Sequence, residues 1–158
     1  DSILNHVCRL DMERSKKTGM PEDDFDKMPQ PFRNTTVESV MAYMKAQFSY
    51  WTEDETACNF RRMLTLEQYR NPEMANLYQK VLASGPVNYI EDLFREMMLS
   101  GTWLEGSPRQ MAVEFFAPFY LLLSMSDAAS GKEEKEKVAV LFTTHLECFV
   151  ETYAAKMP

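Results

Sequence analysis

Apolar residues recur along this chain at three-to-four spacing, broken by short polar or proline-marked stretches, and that rhythm predicts helices throughout. Ile3, Leu4, Val7, Cys8 and Leu10 begin a first helix that runs through Arg14, fades near Lys17 and stops at Gly19–Met20–Pro21. Residues 18–34 hold Glu22, Asp23, Asp24 and Asp26 with Pro21, Pro29 and Pro31, which reads as a surface connector. The acidic cluster lacks the glycine and closing glutamate of a calcium loop, so a solvated turn is expected there. A second helix begins at a capping-box pattern, Thr35 with Glu38, ahead of Val37, Val40, Met41, Met44, Phe48 and Trp51.

The next start, around Thr52–Glu53–Asp54, leads through Cys58, Phe60, Met63 and Leu64 to about Gln68. Asn71–Pro72 is a cap followed by proline at the first helical position, and Met74, Leu77, Tyr78, Val81 and Leu82 follow it. Gly85–Pro86 should bend or break that helix. The pattern resumes with Val87, Ile90, Leu93, Phe94, Met97 and Met98 and ends at Gly101. Ser107–Pro108 opens another helix, from Met111 to Leu123, which ends near Ser130–Gly131 with Pro118 inside it. The final helix starts in the charged run Lys132 to Lys137 and carries Val138, Leu141, Phe142, His145, Leu146, Phe149, Val150 and Tyr153. With no sustained period-two stretch and no internal repeat, six or seven helices and an all-α fold are expected.

The last two helices are apolar over more than one face. From Phe119 to Leu123 five consecutive residues are apolar or aromatic, and the final helix adds Leu141, Leu146 and Val150 beside a seam of Val138, Phe142, His145, Phe149 and Tyr153. A stripe wider than about 100° exceeds what one core covers. The pattern therefore predicts a homodimer in which these helices form a four-helix interface, with Phe116, Tyr120, Phe142, His145, Phe149 and Tyr153 in it.

Composition changes this picture in two ways. The 158 residues suffice for one domain, and a net charge of −7 disfavours contact with phosphate, so this segment should not bind nucleic acid by itself. Twelve Met among ten Phe, seven Tyr and two Trp give a bulky, adaptable core, suited to ordinary packing or to a pliable apolar pocket. Three scattered cysteines, Cys8, Cys58 and Cys148, make no zinc spacing or disulfide framework and fit reduced thiols in the cytoplasm. The stretch from Phe115 to Met125 is too short to span a bilayer, and no signal peptide is visible.

Catalytic chemistry is thinly represented. Two histidines, His6 and His145, are far apart; a hydrogen-bonded core or interface role suits His145 better than catalysis. Glu-x-x-His pairs, Gly-rich phosphate loops and nucleophile elbows are missing, so neither a metal nor a cofactor is expected. Arg61–Arg62 could hold a carboxylate ligand, though two solvated charges are the default.

The segment LTLEQYRNPEMANLYQKVLASGPVNYIEDLFREMMLSGTW, Leu64 to Trp103, resembles the middle of the ligand-binding domain of TetR-type transcriptional regulators. PRQMAVEFFAPFYLLLSMSD and VAVLFTTHLECFVETYA resemble that family's two dimerisation helices. The resemblance spans nearly the whole chain and rests on patterns of residue type. It implies a helix-turn-helix head preceding residue 1, a connecting helix at 1–17, and an effector-binding and dimerisation domain at 18–158. DNA is then touched through the missing head alone, and a small, mainly apolar effector shifts the connecting helix and with it the spacing of two heads. Met41, Met44, Phe48, Trp51, Met63, Tyr78, Val81, Phe115 and Phe119 are the candidate effector contacts. The alternative is an all-helical dimeric interaction module without a small-molecule effector.

Overall fold

The computed structural model describes residues 35–156, and these form an all-α bundle of six helices. The expected connecting helix at 1–17, the connector at 18–34, and with them His6 and Cys8, lie outside the described residues. The helices are α1 (Val37–Glu53), α2 (Glu55–Glu67), α3 (Pro72–Leu82), α4 (Ser84–Leu99), α5 (Pro108–Ala128) and α6 (Lys132–Tyr153). Among the described residues the extended contact is a single β-bridge, Trp103 with Ala154.

Side-chain caps set most of the helix starts. Asp54 accepts from the Ala57 amide, Asn71 from Met74 and Ser107 from Gln110, with proline at the first turn of α3 and α5. The first cap lies one residue beyond the expected Thr35. Thr36 accepts from the Ser39 amide while the Ser39 hydroxyl accepts from the Thr36 amide, the reciprocal arrangement expected of Thr35 and Glu38 but built with a short hydroxyl. At the end of α4, Gly101 takes φ 76°, its amide donating to Met98 and that of Thr102 to Met97, which closes the helix in a Schellman motif.

Gly85–Pro86 breaks the chain into α3 and α4 at Ala83, whose φ of −132° and ψ of −94° are not helical. Gly85 is required there: a Cβ would come within 1.9 Å of the Lys80 carbonyl oxygen.

Helix α5 is the central element, packed against α4, α6 and α1, while α2 closes the bundle against α1 and α3. By length and composition α5 would pass for a membrane span, which the Phe115–Met125 stretch alone does not, and 44% of that window is buried inside the bundle. The aromatic core is continuous: Phe94 contacts Trp103, Phe115 and Phe149, and Phe48 stacks on Phe142 at 4.6 Å. Trp103, buried in the α4–α5 connection, donates its indole N–H to the Met97 sulfur. The bridge beside it, Leu104 N–H to the Tyr153 carbonyl and Ala155 N–H to the Thr102 carbonyl, ties the end of α6 to that connection.

Pro118 cannot donate to the Glu114 carbonyl. Close by, the His145 ring nitrogen Nε2 lies 2.9 Å from the Phe115 carbonyl oxygen, which accepts, so the imidazole carries its proton on Nε2 and staples α6 to α5. His145 is thus a half-buried histidine hydrogen-bonded between α5 and α6.

Candidate functional site

Among the described residues, an apolar and a polar cavity lie beside α5. The first is an apolar cleft between α1, α3, α4 and α5, lined by Tyr43, Met44, Gln47, Trp51, Val81, Leu82, Pro86, Tyr89, Ile90, Phe116 and Phe119. Its position follows from the elbow at Gly85–Pro86, which turns Val81 and Leu82 on one helix and Pro86, Tyr89 and Ile90 on the next toward the same space. Trp51, Met44 and Gln47 share one face of α1, so they form the opposite wall. Burial raises the Tyr89 hydroxyl above the ordinary tyrosine range. The cleft has about 40 Å³ of free room, whereas a single water needs roughly 10–15 Å³ on that measure. Only a few waters fit, and a larger guest requires its side chains to move.

Of the nine expected effector contacts, Met44, Trp51, Val81 and Phe119 line this cleft. Phe48 and Phe115 are instead packed in the core: Phe48 lies between Phe142 and Phe119, and Phe115 between Phe94 and Phe149. Met41 and Met63 are partly buried against the core and outside the cleft lining. Tyr78 faces the second cavity. Sequence reasoning missed Gln47, Tyr43, Pro86 and Tyr89. Gln47 lies three residues after Met44 on the same face, but a polar side chain on an apolar stripe is read as an interruption.

The six residues expected at the dimer interface are also redistributed. Phe142 and Phe149 are buried in the chain's own core, and Phe116 lines the apolar cleft. The wide seam of α6 packs on α1, α5 and the Trp103 connection, which buries the rings of Phe142 and Phe149 and leaves His145 and Tyr153 partly exposed. His145 is engaged as described, and Tyr153 stacks near Phe149 and hydrogen-bonds Glu114. Tyr120 is exposed at 45%, with its hydroxyl bonded to that of Tyr78.

The exposed apolar residues of these helices lie on the other side. Val113, Ala117, Leu121, Ser124 and Ala128 follow one another at helical spacing on α5, opposite Phe115, Phe119 and Leu122, and Tyr120 and Met125 border them. On α6, Val140, Leu141, Thr144 and Cys148 occupy the corresponding outward face, opposite Val138, Phe142 and Leu146. Leu121, Val140 and Leu141 are each more than half exposed, at 59%, 63% and 51%. Helix α5 thus has an uncharged outer stripe and an inner face that walls the apolar cleft.

The second cavity lies between α2, α3 and α5, with about 170 Å³ of room, lined by Arg61, Thr65, Tyr78, Leu82, Tyr120, Leu123, Ser124 and Asp127. Arg61 is not a solvated charge: its side chain is 6% exposed and its two terminal nitrogens bind both oxygens of Asp127, at 2.6 and 2.8 Å. The same guanidinium reaches the Trp51 carbonyl at 3.1 Å. Arg62, half-exposed, adds two bonds to Asp127 Oδ1. Burial raises the Asp127 carboxyl, but the hydrogen bonds and charges of Arg61 and Arg62 outweigh it and hold the group below the usual carboxylate range. Leu82 is common to both cavities.

Among the described residues no cluster of His, Cys, Asp and Glu has the makings of a metal site. Comparison with protein-family models, curated proteins and solved structures finds no match to this chain.

Proposed function

We propose that the chain is the effector-sensing and dimerisation part of a TetR-type transcriptional regulator, acting as a cytoplasmic homodimer whose DNA-binding head precedes residue 1. One observation carries this reading: α5 lines an internal apolar cleft on one side and presents an uncharged, exposed stripe on the other. A helix so placed couples what enters the cleft to how two copies meet. The stripe, with Val140 and Leu141 of α6 beside it, supports a twofold four-helix interface, now built from outward residues and not from the seam of buried rings.

An effector entering between Trp51 and Met44 of α1 and Phe116 and Phe119 of α5 must spread those walls. It binds best to the arrangement in which they stand apart, and the population shifts toward that arrangement. Met44 suits the role, since an unbranched thioether repacks at low cost. Pro118 lies beside Phe119 and removes one main-chain hydrogen bond from α5, so the helix bends most readily there.

Titration with Nile red, a neutral dye that brightens in dry apolar sites, tests the sensing half of the proposal. Saturable binding that is lost in Val81→Trp, which fills the cleft, and kept in Glu105→Ala, exposed in the α4–α5 connection, is the expected result. Absence of saturable binding, or binding indifferent to Val81→Trp, contradicts it. The second reading, a dimeric interaction module without an effector, is favoured by the small room in the apolar cleft and would be adopted on that outcome.

A further inference from the structure

We propose that the apolar cleft takes an uncharged, single-ring aromatic compound whose carbonyl oxygen accepts a hydrogen bond from the Trp51 indole N–H. The proposal rests on the effector-sensing reading and names the chemistry of the effector.

The wall decides the charge of the guest. Of the eleven described residues that line the cleft, none is an aspartate, glutamate, lysine, arginine or histidine. An ion entering it would give up water and meet no counter-charge, which is strongly unfavourable. Burial acts on Tyr89 in the same sense and holds its hydroxyl in the neutral form.

The wall also decides shape and size. Tyr43 and Trp51 on α1, Tyr89 on α4, and Phe116 and Phe119 on α5 put aromatic rings on three of the four helices around the space. Such rings meet a guest ring in offset-stacked or edge-on contacts. The free room of about 40 Å³ is well short of the roughly 150 Å³ that holds a benzene, so the guest is one ring and Met44 must move for it.

One donor in this wall has no acceptor. Trp51 is 5% exposed, and among the described residues nothing accepts from its indole N–H, although its main-chain carbonyl accepts from Arg61 and Cys58. The indole nitrogen is not sealed off as the Arg61 Nε is, so an acceptor can reach it. A buried donor left unpaired is costly, and a carbonyl oxygen on a guest in the cleft removes that cost. The other polar side chains of the wall, Tyr43, Gln47 and Tyr89, each have a partner. The chain's second indole, on Trp103, already donates to the Met97 sulfur.

Indole proton–nitrogen NMR of the native chain reads the contact directly, because its two tryptophans give two signals. Acetophenone should move the Trp51 signal downfield and leave that of Trp103 in place. Ethylbenzene, with the same ring but no acceptor, should bind without that downfield shift. Benzoate should bind at least about tenfold more weakly than acetophenone, since its charge goes unmatched. Trp51→Phe keeps a ring and removes the donor, and should weaken acetophenone about fivefold more than ethylbenzene, the worth of one hydrogen bond. If that variant does not fold, the spectra of the native chain decide. A Trp51 signal that responds alike to acetophenone and ethylbenzene, benzoate binding as tight as that of acetophenone, equal losses in Trp51→Phe, or no acetophenone binding overturns the proposal. Any of these beside Nile red binding that is lost in Val81→Trp leaves the effector-sensing reading standing. Absence of both acetophenone and saturable Nile red binding overturns the two together.

Discussion

Arg61 joins three helices through one guanidinium: it belongs to α2, grips Asp127 on α5 and reaches the Trp51 carbonyl on α1. Removing Asp127 strands a buried charge, so Asp127→Ala should cost about 3 kcal/mol of stability, read from urea unfolding. The pH dependence has a definite sign. The folded-state pKa of Asp127 is depressed, so its contribution is present above the unfolded carboxylate value of about 3.9 and is lost as pH falls through the lower folded value. The stability gap between the native chain and Asp127→Asn should therefore be constant near neutrality and shrink in acid below about pH 4. Equal gaps at both ends would show that the ion pair is not what the carboxylate contributes. The sequence carried a signal for this: Arg61 falls three residues after Cys58 and three before Leu64, on the buried face of α2. A binary pattern counts arginine as polar and misses it, because its burial depends on a carboxylate 66 residues away. Phe48, Phe115, Phe142 and Phe149 illustrate the reverse problem, since an inward aromatic looks the same whether it meets a ligand, a second copy or its own core.

At the scale of elements, the caps and breakers made the helices legible. Asn71–Pro72, Ser107–Pro108 and Gly85–Pro86 stand where the structure starts or breaks helices, because cap and proline preferences are local. The first cap moved by one residue since Thr35 and Thr36 offer the same hydroxyl. The elbow between α3 and α4 yields a sharp prediction. In Gly85→Ala the new methyl would meet the Lys80 carbonyl at 1.9 Å, so the backbone must shift. The loss should be about 1–3 kcal/mol, as for other overpacked sites, with Nile red affinity reduced because the elbow shapes the cleft. A variant as stable as the native chain would mean that the elbow tolerates a side chain. Trp103 was not legible: it lies in a connection between helices, where no periodicity marks a residue as core, and the bridge to Ala154 that buries it is formed across the fold.

For the whole molecule, the all-α architecture followed from helical periodicity, but the partition of apolar surface did not. A wide stripe on α6 predicted a partner, and most of that stripe turned out to be covered by α1, α5 and the Trp103 connection. What remains exposed is a different set on the same two helices, Leu121, Val140 and Leu141 foremost. Periodicity gives the width of a stripe, while the helix packing decides which part stays outside. We propose that this outer face joins two copies around a core that admits a small molecule. Native mass spectrometry of the purified chain, beside Leu121→Glu/Leu141→Glu, tests it most directly. The expected result is a dimer for the native chain, a folded monomer for the double variant, and, at gentle activation, a dissociable small mass on the dimer. A native chain that is monomeric and bare at every concentration examined would contradict it.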